Sequence, residues 1–293
     1  MGSQGVASYN EPDGAVPARR EMPTRFVRKF RELLATALDT ADAASGNKLG
    51  GCIGIYAFYD FDGEPIYVGQ TSESFRTRVG RHLTGQRSDT IAYRILDPFE
   101  VAEVELWPAE HLRSSPDKKT ELNELEYSVY VDAIERSKYK AILNEKIPPV
   151  SEPVPLPPSQ RFTLVPEDLR EDREHPDVRI ARRAETLSRV AAVAHERGEV
   201  SPGLRRIIVI QAVRLADLAA ARLAYAEGRT RPAPDAMNVH ALVGNVMAEP
   251  GDSAFVPAAA TVGADAKTEA APSADAAIDF FADTAFDFDF DSG

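Results

Sequence analysis

Cysteine is almost absent from this chain of 293 residues, with Cys52 as the single example. One cysteine cannot form a disulfide within the chain, so a reducing, cytoplasmic environment is expected. Together with only five scattered histidines, it also excludes a zinc site of the Cys and His type. No run of 18 apolar residues occurs, and residues 1–21 lack an apolar signal core. We therefore expect neither a membrane span nor a secretory signal.

Basic residues are scarce in the C-terminal part of the chain, and this part accounts for most of the negative net charge of the protein. The formal net charge is -12, but residues 232–293 hold eleven acidic residues against one lysine. That segment carries -10 and leaves about -2 for the first 231 residues. Overall charge therefore does not exclude a nucleic-acid partner for the rest of the chain.

Composition divides the chain into five segments. Residues 1–22 are predicted to be disordered, and residues 23–150 form a domain with an N-terminal helix. Residues 151–176 are proline-rich and charged, which is typical of a linker. Residues 177–231 form an arginine-rich helical module, and residues 232–293 form a disordered acidic tail. The tail has three interpretations: a solubilising segment, a docking peptide for a protein partner, or an intramolecular DNA mimic over a basic cleft.

Two helical stretches outside the central part of the chain have open roles. Residues 24–44 carry apolar side chains at helical spacing behind a basic first turn, which suits a cap over a sheet or a DNA-contacting helix. Between Arg179 and Arg231 there are eleven arginines against five acidic residues. This module could bind the phosphate backbone of DNA, or its apolar residues could form a homodimer through residues 177–228.

The central part begins with a predicted β-hairpin in residues 50–69. Alternating apolar runs flank Asp62-Gly63, a strong signal for a tight turn. A helix with an apolar stripe should begin near Phe75, a third strand should cover residues 99–107, and a longer helix should cover residues 117–137. A further short helix is expected in residues 90–96. These elements indicate an α+β fold.

Six polar or aromatic residues in this part follow a recognisable order. Tyr56 ends the motif Gly-Ile-Tyr, and Tyr67 opens the motif Tyr-Val-Gly eleven residues later. The full set is Tyr56, Tyr67, Arg78, His82, Glu126 and Asn144. Over about residues 50–147 the chain resembles the GIY-YIG nuclease superfamily. The resemblance implies a small three-stranded antiparallel sheet flanked by helices, and divalent-metal-dependent cleavage of phosphodiester bonds.

The resemblance also assigns a role to each residue, and physical chemistry agrees with the roles. Glu126 is the expected ligand of one Mg²⁺ or Mn²⁺ ion, because Mg²⁺ keeps most of its waters and needs few carboxylates. Arg78 would bind the scissile phosphate, since a guanidinium matches phosphate oxygens and keeps its charge. Tyr56 would orient or deprotonate the attacking water, and Tyr67 and His82 would share this proton relay or bind phosphate.

Three positions qualify these assignments. Asn144 would hold the geometry of the site through its amide. Glu121 and Glu124 are close rivals of Glu126, which borders the apolar stripe of its helix. Gln70 stands where some members of the family carry a lysine that contacts phosphate.

The sequence therefore predicts a metal-dependent DNA endonuclease. Restriction, phage defence, mobile-element transfer and repair are the processes that would use it. The alternative is a non-catalytic nucleic-acid-binding or adaptor protein on the same scaffold, with the acidic tail as its docking peptide.

Overall fold

The computed structural model describes residues 23–84, 95–233 and 236–249. The predicted disorder in residues 1–22, most of the predicted short helix in residues 90–96 and most of the acidic tail lie outside these ranges. The elements in chain order are helix α1 (Arg25–Asp39), strands β1 (Gly54–Tyr59) and β2 (Pro65–Thr71), helix α2 (Phe75–Thr84), strand β3 (Glu103–Pro108), helix α3 (Lys118–Arg136), strand β4 (Gln160–Thr163), and helices α4 (Glu167–Glu174), α5 (Pro176–Arg197), α6 (Pro202–Ala226) and α7 (Val239–Val243).

The hairpin forms where the turn signal predicts it. Gly63 has a φ of 70°, a conformation that glycine adopts without steric cost. The antiparallel register places Tyr56 of β1 opposite Gly69 of β2, and Phe58 opposite Tyr67. Residues directly opposite each other share a face of the sheet, so the two tyrosines of the motifs lie on the same side.

Within the described residues the sheet has four strands rather than the three that were predicted, in the order β2-β1-β3-β4, and each neighbouring pair is antiparallel. The extra strand is β4, which lies inside residues 151–176, the stretch predicted to be a linker. An unpaired edge of β3 would expose backbone donors and acceptors, and β4 satisfies them. With four residues, β4 is too short to show an alternating pattern after a run of prolines.

Helix α1 packs its apolar side into the core. Phe26, Phe30, Leu34 and Leu38 are each no more than 5% exposed. The Phe26 ring meets Phe99 edge-on at 5.4 Å, just before β3. This packing favours the interpretation of the helix as a cap.

Helices α5 and α6 pack against each other and onto the domain that carries the sheet. Their buried apolar residues belong to the same hydrophobic core as the sheet: Val190, Val193, Leu204, Ile207, Ile210 and Val213. Part of the apolar surface that suggested a homodimer is therefore buried within one chain. No helix among the described residues is both long and apolar enough to cross a membrane.

A buried ion cluster locks these helices to the hairpin. Asp60, directly after β1, accepts hydrogen bonds from Arg183 at 2.9 Å and from Arg214 at 2.8 Å. Arg179 lies 3.4 Å from the same carboxylate, and Glu100 accepts from Arg183 at 3.1 Å. All three arginines are less than 5% exposed. They neutralise acidic groups of the domain itself and are unavailable to a DNA backbone.

Candidate active site

A cleft of about 560 Å³ lies at the outer edge of β2. Because β2 is an edge strand, side chains from both of its faces can reach one opening, and α2 and α3 contribute from either side. Five of the six predicted residues line this cleft: Tyr67, Arg78, His82, Glu126 and Asn144. The structure thus brings together residues that are up to 77 positions apart in the chain.

Tyr56 is the predicted residue that does not line the cleft. Its side chain is fully buried, and its hydroxyl lies 2.9 Å from Nε2 of His82. Nε of Arg78 donates a long hydrogen bond of 3.4 Å to the same hydroxyl. Burial raises the pKa of Tyr56 well above its ordinary value, the nearby Tyr67 adds to the rise, and Arg78 opposes it. Tyr56 is therefore a neutral phenol beneath the cleft, and Tyr67 is the phenol at its surface.

The two motif glycines are required by close approaches of other atoms. A Cβ on Gly69 would lie 2.5 Å from the Tyr56 hydroxyl oxygen, so only glycine leaves room for that hydroxyl. Gly54 has a φ of 149°, and a Cβ there would lie 2.1 Å from the backbone oxygen of Trp107. Gly54 allows β1 to pair closely with β3, and Gly69 allows the Tyr56 phenol to reach the site.

Glu126 projects from α3 into the cleft and is held by an amide from β2. Nε2 of Gln70 donates to Oε2 of Glu126 at 2.9 Å and to Oδ1 of Asn123, one helical turn earlier, at 2.6 Å. Burial raises the pKa of Glu126 to about 7, although the Gln70 hydrogen bond and the charge of Arg78 oppose the rise. Gln70 is neutral and contributes hydrogen bonds only, whereas the positive charge of Arg78 lowers the pKa of Glu126.

Asn144 holds the edge of β2 from outside the sheet. Its Oδ1 accepts from the backbone N–H of Val68 at 3.0 Å, and its Nδ2 donates to the Val68 carbonyl at 2.8 Å. The backbone N–H of Leu143 donates to the Ile66 carbonyl at 2.8 Å. The side chain amide thus acts as one residue of a neighbouring strand, which fixes the position of Tyr67 and Gly69.

Comparison with family models matches residues 52–129 to the GIY-YIG catalytic domain. Residues 52–129 are a GIY-YIG domain. The predicted resemblance is confirmed over this segment, which contains Tyr56, Tyr67, Arg78, His82 and Glu126. The chain matched no curated protein and no solved structure. The GIY-YIG domain is a nuclease-type domain, and nucleases of this type generally depend on a divalent metal ion.

The donor groups of the GIY-YIG cleft suit a hard cation held by one carboxylate. Among the described residues, no group of three or more His, Cys, Asp and Glu side chains could hold an ion. Mg²⁺ keeps several waters and accepts a single carboxylate from a protein, so Glu126 fits this kind of binding. The rival Glu121 accepts a hydrogen bond from Ser115 at 2.6 Å, and neither it nor Glu124 lines the cleft.

The helical module supports one wall of the GIY-YIG cleft, which sequence reasoning missed. Ser201 donates to the Glu145 carboxylate at 2.8 Å, and Nη2 of Arg206 donates to the Glu145 carbonyl at 3.2 Å. A Cβ on Gly203 would lie 1.7 Å from that carbonyl, so the start of α6 touches the wall directly. Gly203 between two helical patterns is the single sequence signal for this contact, and it also suits an ordinary helix break.

Proposed function

We propose that this protein is a metal-dependent DNA endonuclease, acting in the cytoplasm in restriction, phage defence, mobile-element transfer or repair. The observation that supports it best is the convergence of Arg78 and Glu126 on one cleft, from helices on opposite faces of β2. A phosphodiester in this cleft would meet a fixed cation and a carboxylate together. These are the two groups that phosphoryl transfer needs for charge stabilisation and metal binding.

In this proposal Arg78 binds the non-bridging oxygens of the scissile phosphate and stabilises the charge that develops there. Glu126 holds the Mg²⁺ or Mn²⁺ ion, and Gln70 keeps its carboxylate directed into the cleft. When bound, the ion supplies Lewis-acid charge and lowers the pKa of a coordinated water. Glu126 would hold the ion in its ionised form, because a carboxylate binds metal only when it is deprotonated.

Proton transfer is assigned to the two phenols and the imidazole. Tyr67 lies at the cleft surface and contacts the attacking water or the leaving oxygen. Tyr56 lies below it, with ring centroids 6.2 Å apart, and its hydroxyl can pass a proton to Nε2 of His82 at 2.9 Å. Burial keeps Tyr56 protonated, so His82 is the base, and Tyr56 relays a proton to it while it accepts another from the cleft side. The three aromatic residues thus move a proton although a phenol is itself a poor base at neutral pH.

A plasmid-nicking assay tests the proposal. Purified protein should nick supercoiled DNA with Mg²⁺ or Mn²⁺ and be inactive in EDTA. Glu126→Ala should abolish cleavage, and Arg78→Ala and Tyr56→Phe should lower the rate about 10²–10³-fold, as expected for loss of a group that stabilises the transition state. Glu124→Ala is the matched control on the same helix, outside the cleft.

The outcomes separate the alternatives. Full activity in Glu126→Ala would refute its assignment as the metal ligand. DNA binding without cleavage under any metal would instead support the non-catalytic adaptor.

A further inference from the structure

A second groove adjoins the catalytic cleft on the other side of Arg78. It has a volume of about 380 Å³ and lies between residues 71–73, at the end of β2, and the start of α3. Gln70 and Arg78 line both the cleft and the groove. The two depressions are therefore adjacent, and the proposed phosphate-binding guanidinium lies between them.

The groove is positively charged where it leads away from Arg78. Lys118 and Lys119, in the first turn of α3, both line it. Neither lysine forms an ion pair with another residue in the described part of the chain. The acidic residue of the groove, Glu73, is neutralised by Arg81 at 2.7 Å. Lys146 lines the catalytic cleft, so both depressions that Arg78 borders carry a further basic side chain.

We propose that Lys118 and Lys119 form a binding subsite for backbone phosphates next to the scissile one. This inference rests on the proposed nuclease function. A substrate strand with its scissile phosphate on Arg78 continues along the groove and over the start of α3. Lysine ammonium groups bind phosphates as point charges, so the subsite is independent of base sequence. The enzyme then needs nucleotides on both sides of the cut and cleaves within a strand.

Binding measurements with fluorescently labelled DNA in EDTA test the subsite without requiring cleavage. The variant is Lys118→Ala/Lys119→Ala. The control, Lys29→Ala/Lys140→Ala, removes the same charge from exposed sites outside the cleft and the groove. Two lost phosphate contacts should weaken binding about tenfold near 0.1 M salt and make the slope of log K against log salt shallower by about 1.5. The control should change affinity less than twofold.

Substrate truncation locates the contact. Oligonucleotides are shortened step by step on each side of the cleavage position. Removing nucleotides on one side should abolish the difference between wild type and Lys118→Ala/Lys119→Ala, and removing them on the other side should preserve it. Under saturating DNA with Mg²⁺ the variant should cleave at the wild-type rate, with the loss confined to KM.

Two results would count against different claims. A variant that binds every oligonucleotide as the control does, while wild type binds DNA, overturns the subsite and leaves the nuclease proposal standing. Wild-type protein that neither binds nor cleaves DNA overturns the proposed function itself.

Discussion

Removing the negative charge of Asp60 should destabilise the fold more than any change to its surface ion pairs. Asp60 is 2% exposed, and its carboxylate accepts hydrogen bonds from Arg183 and Arg214. Glu100 remains available to Arg183 after the substitution Asp60→Asn. Asp60 is the ion-pair partner of Arg214 within the described residues, so this buried guanidinium would lose its paired carboxylate and keep only the more distant charge of Glu64.

The expected cost follows from that unpaired charge. Breaking a buried ion pair by removing one partner typically costs about 3–5 kcal/mol. A domain has a total stability of about 5–15 kcal/mol, so Asp60→Asn should remove a large share of it. Asparagine keeps the size of the side chain and can still accept from the backbone N–H groups of Asp62 and Glu64. The measured loss of unfolding free energy therefore reflects the missing negative charge, and neither a cavity nor a disrupted turn contributes to it.

Urea unfolding at pH 7 measures this cost, with fluorescence of the single tryptophan, Trp107, as the probe, since it is 4% exposed in β3. The control is Glu185→Gln, whose pair with Arg189 on α5 is about half exposed. It should change the unfolding free energy by about 0.5 kcal/mol or less. Adding Arg214→Met to Asp60→Asn should restore part of the loss by removing the unpaired charge. Equal effects of Asp60→Asn and the control would refute the reasoning.

Two further predictions concern the cleft. The folded-state pKa of Glu126, about 7, lies above its ordinary value of 4.5, so ionising this group lowers stability as the pH rises through that interval. Glu126→Gln should therefore stabilise the protein by up to about 3 kcal/mol at pH 8 and by much less at pH 5, as measured by urea unfolding at both values. An equal gain at both pH values would contradict the assigned pKa. Gly69→Ala should abolish cleavage, because its Cβ would lie 2.5 Å from the Tyr56 hydroxyl oxygen. Gly80→Ala in α2 is the control, since nothing lies within 4 Å of its added Cβ, and it should leave the nicking rate unchanged. Normal nicking by Gly69→Ala would show that the phenol can move without loss of function.

Local patterns predicted the elements that carry the site. The turn signal at Asp62-Gly63 located the hairpin, because a glycine with positive φ is a local requirement. The apolar stripe over residues 117–137 located α3, which spans Lys118–Arg136. Strand β4 could not be predicted, since its four residues are stabilised by pairing with β3 rather than by their own pattern.

A count of charged residues does not tell which arginines can contact a ligand, because burial decides the role of each one. The arginine-rich composition of residues 177–231 suggested contacts to DNA, yet Arg179, Arg183 and Arg214 are buried against acidic groups of the domain. A solvent-exposed helix and a helix packed through buried ion pairs can contain the same number of arginines. Only the partner across the interface distinguishes them, and Asp60 is more than 100 positions away.

The sequence by itself determined the two tyrosine motifs, the Arg78 helix and the Glu126 helix, because each depends on spacing within a few turns or strands. Tertiary structure alone decided that Tyr56 lies beneath the cleft while Tyr67 lines it, and that Gln70 holds Glu126. It also decided that α6 supports the wall at Glu145. These outcomes depend on which elements meet at the edge of β2. That meeting is set by burial of a shared core, which no single stretch of sequence contains.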